Sequence, residues 1–330
     1  MPTPLIVIVV AFCVIDVACL IALWGLRRRG VRVYPKTKFG PAMVFDSVDD
    51  DGVAIRLLNV GGKFQSVSYV DEALRWRLAC MYHQYFAQVV EIQAELWEES
   101  GASTLGTASA EAAGPDAARR DDAEQGESGR DGGAPCKAES SGAGATSANG
   151  IRRRALVIGG GGYSFPKWLV SEAPDVATTV VEIDPAVTKI AREHFFLDDL
   201  EREFQAGESG RLRLVCDDGW AYLSASDEQF DIIVNDAFGG HRPLGPLKTD
   251  AGAAAVRAHL TPRGIYLANV ISPLEGKGSA VLRESTDACK SAFEHVYLIP
   301  ESPEDARVTG DNVLVASNAS LAIAAEYVVK

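Results

Sequence analysis

Four glycines in succession, Gly159-Gly160-Gly161-Gly162, end the apolar run 155–158, and two carboxylates, Glu182 and Asp184, close the next apolar run. Glycines at a turn let a backbone come close to a ligand and leave N–H groups pointing at it. A carboxylate at the tip of the following strand can accept hydrogen bonds from ribose hydroxyls. The chemistry this pattern offers is the binding of a nucleoside-containing cofactor, with Gly159, Gly160, Gly161, Glu182 and Asp184 as contacts. A glycine-rich turn alone is often only structural; an acidic tip about 20 residues further on strengthens the signal. Two more acidic positions follow at later strand ends, Asp217-Asp218-Gly219 after the run 212–215 and Asp236 after the run 231–235. An NAD-binding unit would carry its main fingerprint in the first strand–helix–strand unit, without this later series.

These residues need strands and helices to hold them. Residues 155–184, ALVIGGGGYSFPKWLVSEAPDVATTVVEID, read as strand, glycine turn, helix from 164, second strand and acidic tip. The pattern continues with a helix at 185–194, a strand at 212–215, a helical turn at 220–224 and a continuous apolar strand at 231–235. A helix at 249–260, a strand at 264–270, a helix at 279–293 and an antiparallel pair at 295–299 and 312–316 complete an α/β domain over 151–330. Upstream, the alternating runs 42–45, 53–58 and 64–67 are separated by Asp49-Asp50-Asp51-Gly52 and Gly61-Gly62. They read as hairpins of a small antiparallel sheet, and 71–98 reads as one helix, so that 31–98 form a small β domain plus helix.

The chain of 330 residues is 47% hydrophobic and 23% charged, enough for a full α/β core and a second small unit. Its net charge of -13 argues against a nucleic-acid partner. Six cysteines without a CxxC pair predict a reducing compartment, no disulfide framework and no zinc site. Residues 5–24 carry one charge, Asp16, and are followed by Arg27-Arg28-Arg29. That predicts a single-pass membrane anchor over 1–30, with the rest of the chain on the cytoplasmic side by the positive-inside rule. Residues 99–150 contain no aromatic residue and are dominated by Ala, Gly, Ser, Glu and Asp. Such a composition predicts a disordered linker or insertion, since it cannot bury enough apolar surface to offset ordering entropy.

Four segments, IGGGGYSFPKWL, VVEIDPAV, CDDGWAYL and FDIIVNDAF, in this order and spacing resemble the class I S-adenosylmethionine (SAM) transferases. More narrowly, they resemble the spermidine synthase (polyamine aminopropyltransferase) family and its bacterial membrane-associated relatives, over about 36–98 and 151–318. The resemblance implies a Rossmann-like SAM-methyltransferase fold, a mostly parallel seven-stranded sheet with helices on both faces, and a β domain leaning over the nucleoside pocket. It implies SAM or decarboxylated SAM as co-substrate, no metal, and a small-molecule amine acceptor; a homodimer is compatible with it. By the same resemblance Gln65, in GGKFQS, contacts the cofactor, while Asp218 takes the adenine amino group and Gly219 gives the base room. Tyr82-His83-Gln84 is similar to the family's Tyr-His-Glu or Tyr-Gln-Glu, in which the tyrosine and its neighbours line the amine site.

Aminopropyl transfer requires an unprotonated amine, and a free amine has a pKa near the lysine value of about 10. A carboxylate can take that proton, and an aromatic hydroxyl can orient the nitrogen; Asp236 and Tyr82 are the candidates. Spermidine synthases read Asp-Ser-Ser-Asp-Pro at Asp236, whereas this chain has Gly239 at the second aspartate, followed by His241 and Arg242. The turn also departs, with Gly162-Tyr163-Ser164 where better-known members have Asp-Gly-Gly. Three functions therefore stay open: an aminopropyltransferase, a SAM-dependent methyltransferase on a small or lipid-proximal acceptor, and a non-catalytic membrane-tethered nucleoside- or polyamine-binding protein.

Overall fold

A computed structural model describes residues 24–104, 150–239, 242–243 and 245–329. The anchor expected at 1–30 lies largely outside the described residues, as does most of the expected linker, over 105–149. No helix among the described residues is long and apolar enough to cross a membrane.

The N-terminal unit is an antiparallel sheet in the order β1 (Arg32–Thr37), β2 (Gly40–Val48), β3 (Ala54–Val60), β4 (Lys63–Tyr69). Period-2 alternation buries Ala42 and Val44 of β2 against Leu58 and Val60 of β3. β1 has no such alternation and contains Pro35, which an edge strand tolerates because its N–H side is not needed by the ladder. The single helix expected over 71–98 is not what forms. A 3-10 turn at Glu72–Leu74, capped by Asp71, is followed by an irregular stretch before α1 (Met81–Thr104). In that stretch Arg75 reaches Glu203 at 2.5 Å and Leu78 is buried, so side-chain anchoring holds the chain out of helical register.

The second unit contains β5 (Arg153–Ile158), α2 (Ser164–Glu172), β6 (Val176–Glu182), α3 (Pro185–His194), α4 (Leu197–Phe204), β7 (Leu212–Cys216), α5 (Gly219–Ala225) and β8 (Phe230–Asn235). A two-residue hairpin, β9 (Phe238–Gly239) with β10 (Arg242–Pro243), leads to α6 (Asp250–Ala258), β11 (Leu260–Ser272), α7 (Ala280–Ala292), β12 (His295–Ile299) and β13 (Gly310–Ser317). Seven strands make one mixed sheet in the order β12-β13-β11-β8-β5-β6-β7. The five strands from β11 to β7 are parallel, and β13 runs against both of its neighbours. Every residue of β8 is buried, Asp231 and Asn235 included, as a central parallel strand around the apolar Ile232–Val234 requires. Its side chains serve two cores. Ile232 and Val234 join Phe86, Phe165 and Ile190 on the side of α1 to α4, while Phe230 and Ile233 join Leu223, Val256 and Leu282 on the side of α5 to α7.

The small sheet is sealed to the large domain by polar groups. Ser164 Oγ donates to Val67 O at 2.9 Å, and fully buried Lys167 Nζ donates to Ser68 Oγ at 3.1 Å and Phe195 O at 2.7 Å. Burial pushes the Lys167 ammonium from the ordinary 10.5 down to about 7. Below that pH both folded and unfolded chains carry the proton and the folded state bears the full desolvation cost. Between about 7 and about 10 the unfolded chain binds more protons, so stability rises with pH. The melting-temperature difference between Lys167→Met and the unsubstituted protein is therefore expected to be most in favour of methionine below pH 7 and to shrink toward pH 10. Thermal unfolding across that range checks it, and a difference independent of pH would contradict the buried, uncharged amine.

Candidate active site

β5 ends at Ile158, and the chain turns at Gly159, whose φ of +97° and surroundings both require glycine. A Cβ there would lie 2.5 Å from the carbonyl oxygen of Asp236. The two strand ends are further tied by Asp236 N–H donating to Ile158 O at 2.9 Å. Gly160 N–H donates to Glu182 Oε2 at 2.7 Å and Gly161 N–H to the same oxygen at 3.4 Å, while Asp184 N–H donates to Glu182 Oε1 at 2.8 Å. Glu182 thus clamps the turn from the tip of β6. Its burial raises the carboxyl pKa and the three backbone donors pull it the other way. Gly162 sits so close to β4 that a Cβ would lie 2.6 Å from Ser66 Oγ. Tyr163 then starts α2 in the left-handed region, at φ 57°, with its hydroxyl 2.8 Å from Thr188 Oγ1.

Between this turn, the carboxyl ends of the sheet and the small β domain lies a cavity of about 370 Å³. Gln65 of β4 and Phe39 reach it from the small sheet; Gly159, Gly160, Gly161 and Glu182 line its floor. Asp218, Gly219 and Trp220 form one wall, where Asp218 Oδ1 caps α5 by accepting from the N–H groups of Trp220 and Ala221, both at 3.0 Å. Added side-chain bulk at Gly219 would run into Ile158, so glycine keeps that wall thin. Glycine turn, strand-tip carboxylate, capped acidic loop and apolar tryptophan together make a cradle of the size and polarity for a nucleoside.

The far end of the cavity is built on Asp236, with His83 beside it. Asp236 Oδ2 accepts from Tyr82 O–H at 3.2 Å and from His83 Nε2–H at 3.0 Å. Asp236 Oδ1 and His83 Nδ1 are buried without a partner. Burial, and then the carboxylate of Asp236, hold the Tyr82 hydroxyl well above its ordinary pKa, so it stays a donor. Phe86 and Phe165 brace the pair, with Tyr82 edge-on to Phe86 at 5.6 Å and His83 stacked on Phe165 at 5.9 Å.

Two residues expected at the site stand elsewhere. Asp184 is 3% exposed and does not line the cavity: Oδ1 accepts from Ala186 N–H at 2.9 Å, capping α3, and Oδ2 accepts from Lys38 N–H at 2.5 Å, so both oxygens hold the fold together. Gln84, one position past His83 on α1, points away from the cavity and donates to Leu78 O at 3.1 Å. Lining residues not anticipated include Phe39, Ser66, Trp220 and Leu247; Ser66 and Trp220, next to Gln65 and Gly219, had a signal in the sequence.

The domain is thus an α/β domain of the class I methyltransferase-like type, with a nucleoside-shaped cavity and a carboxylate at its end. Residues 144–307 match the model of the Spermine/spermidine synthase domain. A polyamine aminopropyltransferase of Pseudomonas syringae pv. tomato is 33% identical over 99 residues, 30% of this chain and 32% of that protein. One from a Ruegeria species is 32% identical over 123 residues, 36% of this chain and 41% of that protein. The chain thus spans about a third of the length of the curated relatives it matches. Among solved structures, a probable spermidine synthase from Corynebacterium glutamicum aligns with a TM-score of 0.59 at 16% identity, covering 88% of this chain and 80% of that one. A spermidine synthase in complex with the transition state analogue AdoDATO aligns with a TM-score of 0.52, also at 16% identity, covering 87% and 74%.

Glutamine cannot replace Glu182 without turning an amide N–H₂ toward backbone donors. Glu182→Gln is therefore expected to weaken binding of methylthioadenosine by about 10- to 100-fold, the worth of about 1–3 kcal/mol for a charged hydrogen-bond acceptor lost. Calorimetry checks it, and unchanged affinity would remove Glu182 from the nucleoside site.

Proposed function

We propose that this chain is an aminopropyltransferase that moves the aminopropyl group of decarboxylated SAM to a small-molecule amine. The observation that carries this reading is Asp236. Its carboxylate stands at the end of a nucleoside-sized cavity, one oxygen engaged by Tyr82 and His83 and the other buried and unpartnered. A buried carboxylate oxygen without a donor is a costly arrangement unless a ligand donor meets it, and an ammonium group is such a donor. The names and domain match of the relatives support the same reading.

When bound, the sulfonium of decarboxylated SAM makes its neighbouring aminopropyl carbon electrophilic and departs as a neutral thioether, so the protein need not supply a strong acid. The floor residues Gly160, Gly161 and Glu182 fix the nucleoside end, and Asp218 with Gly219 and Trp220 fix the base. Asp236 Oδ1 accepts a proton from the incoming ammonium, which frees the nitrogen lone pair. Tyr82 and His83 keep the other oxygen occupied, so the carboxylate is oriented before the amine arrives. A nitrogen–carbon bond then forms as the sulfur–carbon bond breaks.

The membrane anchor is a proposal as well. It rests on the hydropathy of residues 5–24 and on the basic flank Arg27-Arg28-Arg29, which favours a cytoplasmic position for the transferase domain.

Asp236→Asn keeps the shape of the side chain and removes the proton acceptor. Turnover with decarboxylated SAM and an amine is expected to fall by about 10²- to 10⁴-fold, with melting temperature and nucleoside affinity retained. Steady-state kinetics alongside calorimetry decide it. Undiminished turnover would reject Asp236 as the proton acceptor, and a matching loss of nucleoside affinity would make it part of the cradle instead.

A further inference from the structure

The small sheet packs one face into the core and leaves the other outside it. One set of alternate residues, with Ala42, Val44, Leu58 and Val60, is buried against the large domain. The opposite set in register carries Val33, Met43, Phe45, Leu57, Phe64 and Val67, and none of these joins either core. An antiparallel sheet with one solvated face ordinarily turns polar side chains outward. Here the outward set is apolar, with Ser47, Asn59 and Tyr69 adding polar groups without charge, whereas Arg32, Asp46 and Arg56 fall in the inward register. Phe64 is 64% exposed, and its ring centroid lies 6.4 Å from that of Phe45. An exposed apolar face of this kind marks an interaction surface. Four strands of about five residues each project about 15 Å by 17 Å, well short of the ~800 Å² per partner of a stable protein–protein interface.

The chain enters this sheet directly from the apolar run 5–24. Trp24 is 56% exposed, the Arg28 guanidinium lies over its ring at 3.8 Å, and Arg27 and Arg29 are exposed beside it. An aromatic ring among basic side chains is what a membrane–water interface selects. Eight residue steps, at most about 28 Å of chain, separate Trp24 from Arg32 at the start of β1. Lys36, Lys38 and Lys63 are exposed at the end of the sheet that carries Phe64, while Asp49, Asp50 and Asp51 stand at the β2–β3 turn at the other end. The basic end complements the anionic lipids of a cytoplasmic leaflet. Resting on the membrane anchor proposed above, we propose that the outer face of the small sheet docks on the surface of an anionic lipid bilayer, with Phe45 and Phe64 entering the interface. The anchor holds the face at high local concentration beside the bilayer, so a small apolar patch suffices. The roof of the cavity is then the element that rests on the membrane.

The test is lipid photo-crosslinking of the full chain, reconstituted in vesicles of phosphatidylcholine and phosphatidylglycerol that carry a phospholipid with a diazirine in its upper acyl chain. Irradiation and peptide mapping by mass spectrometry locate the adducts. They are expected on peptides from 5–24 and also on those carrying Phe45 and Phe64. Phe64→Glu changes an exposed position outside the cavity lining, so the melting temperature is expected to hold. Its sheet adducts are expected to fall by about 10-fold or more, the worth of one phenyl ring withdrawn from an apolar environment, with those in 5–24 unchanged. Adducts on 5–24 alone, as when a second copy covers the sheet, would overturn the docking face and leave the anchor standing. Adducts on the sheet and none on 5–24 would overturn the anchor and leave the docking face standing. Adducts on neither, as when residues 5–23 cover the sheet themselves, would overturn both. Sheet adducts undiminished in Phe64→Glu would overturn the assignment to this face.

Discussion

The backbone contact between Gly159 and Asp236 sets the geometry of everything else at this site. β5 and β8 are parallel neighbours whose ends meet where Asp236 N–H bonds Ile158 O and the Gly159 α-carbon faces the Asp236 carbonyl. The glycine turn and the Asp236 carboxylate, proposed to hold the nucleoside and to meet the acceptor, are therefore adjacent by construction. Neither can shift by one residue, because a slip of either strand would exchange the side chains that the two cores receive. The register runs on through Gly159 N–H to Val181 O, so that Glu182, one residue further, is delivered under the turn.

The small β domain acts as a roof whose seat depends on the same turn. Ser66 packs on Gly162, Ser164 bonds β4, and Lys167 reaches through the interior to Ser68. Asp184 belongs to this seating, since it caps α3 with one oxygen and fastens the β1–β2 turn at Lys38 with the other. Tyr34 meets Glu193 and His194 at the far side of the joint, and Arg56 donates to His194 O at 3.0 Å. Surface ion pairs contribute little individually. The buried bonds of Ser164 and Lys167 are the ones whose loss leaves an unpaired group inside the protein.

The α/β domain was legible in the sequence because its strands are continuous apolar runs ended by glycine or acid, and α3 and β8 formed almost where periodicity put them. Elements without that signature were not. β1 is a polar edge strand, α4 is a short helix entered and left through left-handed residues, and the region before α1 is held irregular by contacts distant in the chain. The same limit governed the site. Strand-tip position identified Glu182, Asp218 and Asp236, yet it could not separate Glu182 from Asp184, two residues apart and of the same chemistry, because only their three-dimensional donors differ.

The proposed transfer is one reaction in a cavity shared by a nucleoside and an amine. Incubating the protein with decarboxylated SAM and putrescine, and in parallel with SAM and putrescine, followed by mass spectrometry of both reactions, tests it most directly. Methylthioadenosine and the aminopropylated amine are expected in equal amounts from the first mixture, and no methylated amine from the second. S-adenosylhomocysteine with a methylated product from the second mixture, or no product from either, would contradict it.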